Sequence, residues 1–144
     1  MLLRFLPIFC FIVVSMNAQG QGIVTASQVN GTWREVTSDQ NTITKEFAIK
    51  ALGHQKLKVS FLANNLPRKF SNTVSDIAKI EGTKAIFKPK ESQSDENDPC
   101  EVRLLFVDGD LMVTEKGQCG WGRGISAEGQ YQKVVTEFKE SKAH

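Results

Sequence analysis

The chain has 144 residues, of which 40% are hydrophobic and 24% are charged, with 18 basic and 16 acidic side chains. This near balance of charge argues against a nucleic-acid-binding protein and against a polybasic membrane patch, because both need a clear basic surplus. The charged residues are spread along the sequence rather than grouped in blocks, as is typical of a solvated surface.

Residues 1–18 have the composition of a secretory signal peptide. Arg4 precedes an apolar run from Phe5 to Val14, and small residues allow cleavage after Ala18 or after Gly20. The run is too short to span a bilayer, which needs about 20 apolar residues, and no second run follows it. We therefore expect a secreted or periplasmic protein whose mature chain, of about 125 residues, forms one domain.

From Trp33 onward, short stretches of alternating apolar and polar residues are separated by turn residues. Leu57, Val59 and Phe61, for example, alternate with two lysines and a serine, so that one face meets a core and the other meets water. Segment 52–55 is a turn before this strand, and the Asn and Pro residues of segment 64–68 predict a longer connection after it. The pattern predicts an antiparallel meander of about seven to nine strands without a long helix.

The clearest strand begins at Cys100 and is followed by a hairpin turn at 108–110. Segment 89–99 has no aliphatic or aromatic residue and is expected to be an exposed loop, and a last strand surrounds Tyr131. Because an open meander would leave two bare edges, closure into a small antiparallel β-barrel is favoured. We assign this barrel domain to residues 29–138 and a charged flexible tail to residues 139–144.

Two cysteines, Cys100 and Cys119, remain once Cys10 leaves with the signal peptide. An even pair in an oxidising compartment predicts a disulfide, and its spacing suits two neighbouring strands or a strand and a returning loop. Two free thiols available for catalysis or metal binding are the less favoured alternative.

Residues suited to catalysis are scarce in this sequence. His54 lies in a predicted turn and His144 is the terminal residue, so neither is placed like a catalytic base or a paired metal ligand. The carboxylates alone leave a two-carboxylate hydrolase open. Segment 95–98, with Asp95 and Asp98, offers oxygen donors for calcium but lacks the spacing of a calcium loop, so a solvated loop is favoured. We predict neither an enzyme nor a cofactor or metal.

Gly31-Thr32-Trp33, at the start of the first strand, resembles the opening of the lipocalin and calycin barrels. The resemblance implies that Trp33 closes the base of a barrel against a cation from a late strand. The candidates for that cation are Arg34, Arg103 and Lys133, and the alternative is that Trp33 is simply a core aromatic residue. Asn30 with Thr32 also forms a glycosylation sequon, which has meaning only in a eukaryote.

The segment Cys119-Gly-Trp-Gly, followed by Ala127-Glu-Gly-Gln-Tyr-Gln-Lys133, resembles the end of small secreted bacterial proteins with a Cys-Gly-x-Gly and Ala-x-Gly-x-Tyr-x-Lys pattern. Such proteins are similar in size and architecture to periplasmic lysozyme inhibitors, whose Ser-Gly and Tyr loops enter an enzyme cleft. Ser126, Gly129 and Tyr131 are the corresponding residues that the resemblance implies here.

The glycine-rich turn around Trp121 is the candidate binding element. Flanking glycines allow a sharp turn and close approach to another surface, with Trp121 and Arg123 as anchors. The alternative is that Trp121 folds back and plugs the barrel.

The leading prediction is a non-catalytic binding protein that presents Trp121, Arg123, Ser126 and Tyr131 to an extracytoplasmic protein, with a hydrolase such as lysozyme as candidate partner. The alternative is a lipocalin-like carrier of a small apolar ligand. Its cavity would be lined by side chains from several strands, namely Phe47, Val59, Phe61, Phe87, Leu104 and Phe106.

Overall fold

The computed structural model describes residues 23–36, 42–90, 96–122 and 124–134. The predicted signal peptide, the predicted tail and Arg123 lie outside these ranges. The described elements are α1 (Ala26–Val29), β1 (Gly31–Glu35), β2 (Ile43–Gly53), β3 (Lys56–Asn65), β4 (Phe70–Glu81), β5 (Lys84–Phe87), β6 (Glu101–Val107), β7 (Asp110–Lys116) and β8 (Gly129–Lys133). No helix in the described ranges is long and apolar enough to cross a bilayer.

The eight strands form a closed barrel in which each strand pairs antiparallel with the next and β8 pairs with β1. The predicted small all-β antiparallel barrel is therefore confirmed. Closure leaves no free edge across which another chain could extend the sheet. The strands run up and down, so the barrel has two distinct ends. The base carries α1 and the turns after β2, β4 and β6, and the mouth carries the connections after β1, β3, β5 and β7.

Alternation along the strands separates a packed interior from a charged exterior. Phe47 on β2 lies directly opposite Phe61 on β3, and their ring centroids are 4.8 Å apart. Tyr131 on β8 meets Phe47 edge-on, at a centroid distance of 5.0 Å. Such ring pairs add to the stability that their buried apolar area provides. The six side chains that were candidates to line a cavity all belong to one buried core.

The base is closed by Trp33, which is buried beneath α1. Its indole Nε1–H donates to the carbonyl of Val29 at 3.0 Å, and its ring meets Phe106 edge-on. The ammonium of Lys133 lies 5.1 Å from the centre of the Trp33 ring and donates to the carbonyl of Ser27 at 2.8 Å. Lys133 is therefore the late-strand cation, and the Trp33–Lys133 pair is a cation–π contact.

The first residue of β1, Gly31, lies beside that lysine. Its φ is +137°, a conformation that L side chains rarely adopt, whereas a Cβ there would lie at an ordinary contact distance of 3.5 Å from three carbons of the Lys133 stem. The backbone conformation at the start of β1, rather than a lack of space, therefore favours glycine at this position.

The predicted disulfide is present between Cys100, just before β6, and Cys119, just after β7. Beside it, Pro99 and Gln118 form an isolated bridge, and the amide of Gln118 donates to the carbonyl of Asp98 at 3.1 Å. The backbone of Gly117 approaches Pro99 so closely that a Cβ could not be accommodated. The disulfide therefore joins the β5–β6 connection to the β7–β8 connection, which are the two longest connections at the mouth.

Two local features differ from the sequence-based expectations. The connection after β3 is a tight turn over 66–69 rather than a longer loop, closed by the amide of Lys69 donating to the carbonyl of Leu66. Pro67 fits this turn because it needs no donor there. Helix α1 was not predicted, since four residues carry too little periodicity to detect.

Removal of the disulfide tests the contribution of this fastening to stability. The double variant Cys100→Ala/Cys119→Ala is expected to unfold with a free energy lower by about 3 kcal/mol, because the unfolded chain regains the entropy of an open loop. Urea denaturation of the variant and of the native protein, each with and without reductant, measures the difference. A loss below about 0.5 kcal/mol would contradict this expectation.

Candidate binding site at the barrel mouth

The connection between β7 and β8 crosses the barrel mouth and is called here the mouth loop (residues 117–128, of which Arg123 is not described). Trp121 points inward from it and is only 2% exposed. Its ring meets Phe61 edge-on at a centroid distance of 4.8 Å. Trp121 therefore plugs the barrel mouth in this structure and is not an exposed anchor, which is the second of the two arrangements that the sequence leaves open.

Glu115, the inward-facing residue near the end of β7, holds the plug in place. Its Oε2 accepts hydrogen bonds from the indole Nε1–H of Trp121 at 2.9 Å and from the amide of Ala127 at 2.7 Å. The hydroxyl of Ser126 donates to the same oxygen at 3.4 Å. One carboxylate thus ties the middle of the mouth loop and its C-terminal end to the barrel wall, with the added strength of a charged acceptor.

Lys45 fixes the same loop from the opposite wall. Its ammonium donates to the carbonyls of Ser126 at 2.8 Å and Glu128 at 2.9 Å, and it pairs with the carboxylate of Glu35 at 2.8 Å. Lys45 is buried, so these three oxygens replace the water that its charge has lost. The loop backbone, which has no strand partner here, thereby obtains hydrogen bonds.

Tyr131, on β8, supplies a third attachment from below. Its hydroxyl donates to the carbonyl of Ala127 at 2.7 Å, and its side chain is fully buried. Burial, together with the negative charges of Glu35 and Glu115, raises the pKa of the Tyr131 hydroxyl far above its usual value. The group is therefore a neutral donor throughout the physiological range.

Exposed apolar groups surround the fixed loop. Leu66 and Phe70, on either side of the β3–β4 turn, are 59% and 41% exposed. The Phe70 ring lies so near the mouth loop that a Cβ at Gly122 would be 3.0 Å from Phe70 Cε1. Asn72 also donates to the carbonyl of Trp121 at 3.2 Å. We call the surface made by Leu66, Phe70, Gly122, Ile125 and Ser126 the mouth rim.

The predicted site residues therefore have different fates. Trp121 and Tyr131 are in the same region but buried, Ser126 is exposed at the mouth rim, and Arg123 lies outside the described residues. Gly31 and Trp33 form the base at the opposite end. Two residues of the site, Lys45 and Glu115, were not predicted. Both continue the inward alternation of their strands. Lys45 precedes Phe47 and Ile49 on β2, and Glu115 follows Leu111 and Val113 on β7.

Comparison with protein-family models finds no match, and comparisons with curated proteins and with solved structures find none either. Among the described residues, no group of three or more His, Cys, Asp or Glu side chains could hold a metal ion. Asp98 is exposed, and Asp95 lies outside the described part of the chain. What the mouth can do is therefore inferred from its own contacts.

The ionisation of Tyr131 provides a direct test of the mouth structure, because the chain contains a single tyrosine. Its pKa is raised in the folded state, so the contribution of this hydroxyl to stability is constant below the unfolded value of about 10 and is lost as the pH rises above it. Tyrosinate absorbance should therefore be absent from the folded protein at pH values just above 10 and appear on unfolding. Tyr131→Phe should show a shallower fall in unfolding free energy over the same range. A phenolate signal with a midpoint near 10 in folded protein would contradict the burial of this hydroxyl.

Substitution of Glu115 tests the attachment of the plug. Glu115→Ala leaves the Trp121 indole and the Ala127 amide without their acceptor, so the unfolding free energy should fall by about 2 kcal/mol. Trp fluorescence should shift to the red as Trp121 gains solvent. Glu96→Ala, which removes an exposed carboxylate with the same change of charge, should alter neither quantity. Equal behaviour of the two variants would contradict the assigned role of Glu115.

Proposed function

We propose that this protein is a non-catalytic, secreted or periplasmic binding protein whose mouth rim contacts a protein partner. The observation that carries the proposal is the rigid attachment of the mouth loop beside exposed apolar residues. Four attachments hold the loop, namely its contacts with Glu115, Lys45 and Tyr131 and the disulfide. The loop therefore has little conformational entropy left to lose when a partner binds.

The binding elements differ from those first expected. The buried rings of Trp121 and Tyr131 support the surface from inside, whereas Leu66, Phe70 and the exposed backbone around Gly122 meet the partner. Apolar side chains beside a glycine backbone can pack closely against another protein. Ser126 contributes its position at the rim, while its hydroxyl is used by Glu115.

A hydrolase that acts on polysaccharide, such as lysozyme, is the partner class that the charges at the rim support. Arg68 and Lys69, in the turn between Leu66 and Phe70, are both exposed. Many glycoside hydrolases place two carboxyl groups in an open cleft. Two cations between two exposed apolar side chains would complement the carboxylates and the apolar surface of such a cleft.

Several features support a role without catalysis. Among the described residues, four polar side chains that extend toward the mouth are each bound to the loop or to another member of the group, namely Glu35, Lys45, Glu115 and Tyr131. A general acid or base must instead be free to reach a substrate proton. The contacts of these groups support a structural role, which is to hold the mouth loop, rather than a role in a reaction.

The packing of the interior favours surface binding over a small-molecule carrier. Inside the barrel the aromatic rings of β1 and β6 contact each other, those of β2, β3 and β8 form a second group, and Trp121 covers the mouth. A carrier needs room for its ligand among such residues. An extracytoplasmic location is supported by the signal-like segment 1–18 and by the disulfide between Cys100 and Cys119.

Inhibition of cell-wall hydrolases tests the proposal. The mature protein should inhibit one or more members of a lysozyme panel, measured by lysis of cell walls. Leu66→Ser should weaken that inhibition about tenfold or more, as truncation of an interface anchor does. Leu52→Ser is the matched control, because Leu52 is a similarly exposed leucine at the base, and it should inhibit like the native protein.

Two results would overturn the proposal. One is equal inhibition by the Leu66 and Leu52 variants, which would remove the mouth rim from the interface. The other is a small apolar molecule that copurifies in stoichiometric amount with protein from its native source, detected by native mass spectrometry, because this would establish the carrier alternative.

A further inference from the structure

The outside of the barrel has a face on which cations collect, although they are scattered along the sequence. The strand register places lysines of β2, β3, β4 and β5 beside one another near the base. We call this surface the basic face; it comprises Lys50, Lys56, Lys58, Lys79, Lys84, Lys88 and Arg103, all exposed. Two acidic residues, Glu81 and Glu101, lie among them. The near neutrality of the whole chain therefore conceals a strong local surplus.

Like charges lie directly opposite one another on this face. Lys50 of β2 is the register partner of Lys58 of β3, and Lys56 of β3 is the partner of Lys79 of β4. Like charges in such positions destabilise a sheet. In the described part of the chain, Lys79 has a carboxylate at 3.1 Å, from Glu81, whereas Lys50, Lys56 and Lys58 have none within ion-pair distance. Within that part, the fold therefore gains no ion pair from Lys50, Lys56 or Lys58, and their ammonium groups are available to an anionic partner.

Aliphatic side chains form the centre of the basic face. Ile77 and Ile86, on β4 and β5, are 48% and 43% exposed and lie in a groove of about 610 Å³. Lys79, Lys84 and Lys88 border the same groove, together with the single carboxylate of Glu81. A second groove of about 260 Å³ continues from Ile86 across β6 to Met112 on β7. An apolar strip edged by ammonium groups results.

We propose that the basic face binds an acidic segment of a partner protein, one that places aliphatic side chains on Ile77 and Ile86 and carboxylates against the lysines. This interaction is separate from the contact at the mouth rim, since the grooves lie on the side of the barrel. An apolar centre with a polar border is the usual anatomy of a protein–protein interface, and complementary charge at the border sets specificity and association rate.

Two other anionic surfaces fit less well. A bilayer is flat, whereas this face is the outside of a small barrel, and it lacks the Trp and Tyr residues that membrane interfaces favour. Nucleic acid would meet an aliphatic strip where its phosphates need cations, and no exposed ring of the described residues lies on this face for base stacking. Anionic vesicles and single-stranded DNA are therefore included as probes in the experiment.

The experiment measures binding of the mature protein to four probes by fluorescence anisotropy or cosedimentation. They are a peptide that alternates Glu with Leu, a peptide of equal charge that alternates Glu with Ser, phosphatidylglycerol-containing vesicles and single-stranded DNA. The Glu–Leu peptide should bind about tenfold more tightly than the Glu–Ser peptide, because only the former fills the apolar strip. It should also bind more tightly than the vesicles and the DNA.

Matched variants locate the site. Lys56→Gln/Lys58→Gln should weaken Glu–Leu binding about fivefold or more, whereas Lys69→Gln/Lys90→Gln, which removes two exposed lysines from connections at the mouth end, should change it less than twofold. Ile77→Thr/Ile86→Thr, which keeps β-branched residues in the strands, should abolish the preference for Glu–Leu over Glu–Ser. The Lys56/Lys58 variant should also unfold at an unchanged or higher urea concentration, because like-charge repulsion is relieved.

Absence of Glu–Leu binding would overturn the proposal, as would equal losses in the two lysine variants, or tighter binding of the vesicles or the DNA than of the peptide. Leu66→Ser should leave Glu–Leu binding intact. Peptide binding therefore tests the basic face independently of the hydrolase assay, which tests the mouth rim. Either proposal can fail without the other.

Discussion

Closure of the barrel between β1 and β8 is the interaction on which the rest of the structure depends, and it rests on three residue pairs. Trp33 faces Lys133 at the base end of this seam, and Glu35 faces Tyr131 at the mouth end. The first pair joins the sheet to α1, and the second supplies the groups that hold Lys45 and Ala127. The seam therefore shapes both ends of the molecule as well as closing it.

The two ends of the barrel are closed by different interactions, because side chains cover the base whereas loop backbone covers the mouth. The base covers side chains with an indole ring and a lysine stem, for which apolar contact and a cation–π interaction suffice. The mouth instead covers the core with backbone, and the loop's carbonyls and amides require partners. For that reason the buried Lys45 and the half-buried Glu115 point inward and bond to the loop backbone. A loop fastened in this way is a suitable support for an exposed recognition surface.

Alternation in the sequence was sufficient to predict the strands, because each strand depends on neighbours along the chain. Closure into an antiparallel barrel was predicted from the cost of two bare edges, and the disulfide from the even pair of cysteines. Alternation also gives the inward positions of Lys45 and Glu115, but it is read from apolar residues, so these two polar side chains were not predicted. It does not show which distant residues pair across the strands. Lys133 could not be separated from Arg34 and Arg103 as the partner of Trp33, since alternation does not set the β1–β8 register. The basic face was hidden for the same reason, because lysines far apart in sequence become neighbours only across the ladders.

The attachment of the mouth loop to Lys45 also has a kinetic consequence. The hydrogen bonds from this lysine to Ser126 and Glu128 join residues 81 and 83 positions apart, so their closure entropy must be overcome before they contribute. Most of the sheet has to be assembled first. We expect the indole of Trp121 to reach its final place late during folding, so that a folding chain passes through a stage in which the barrel has formed but its mouth is still open.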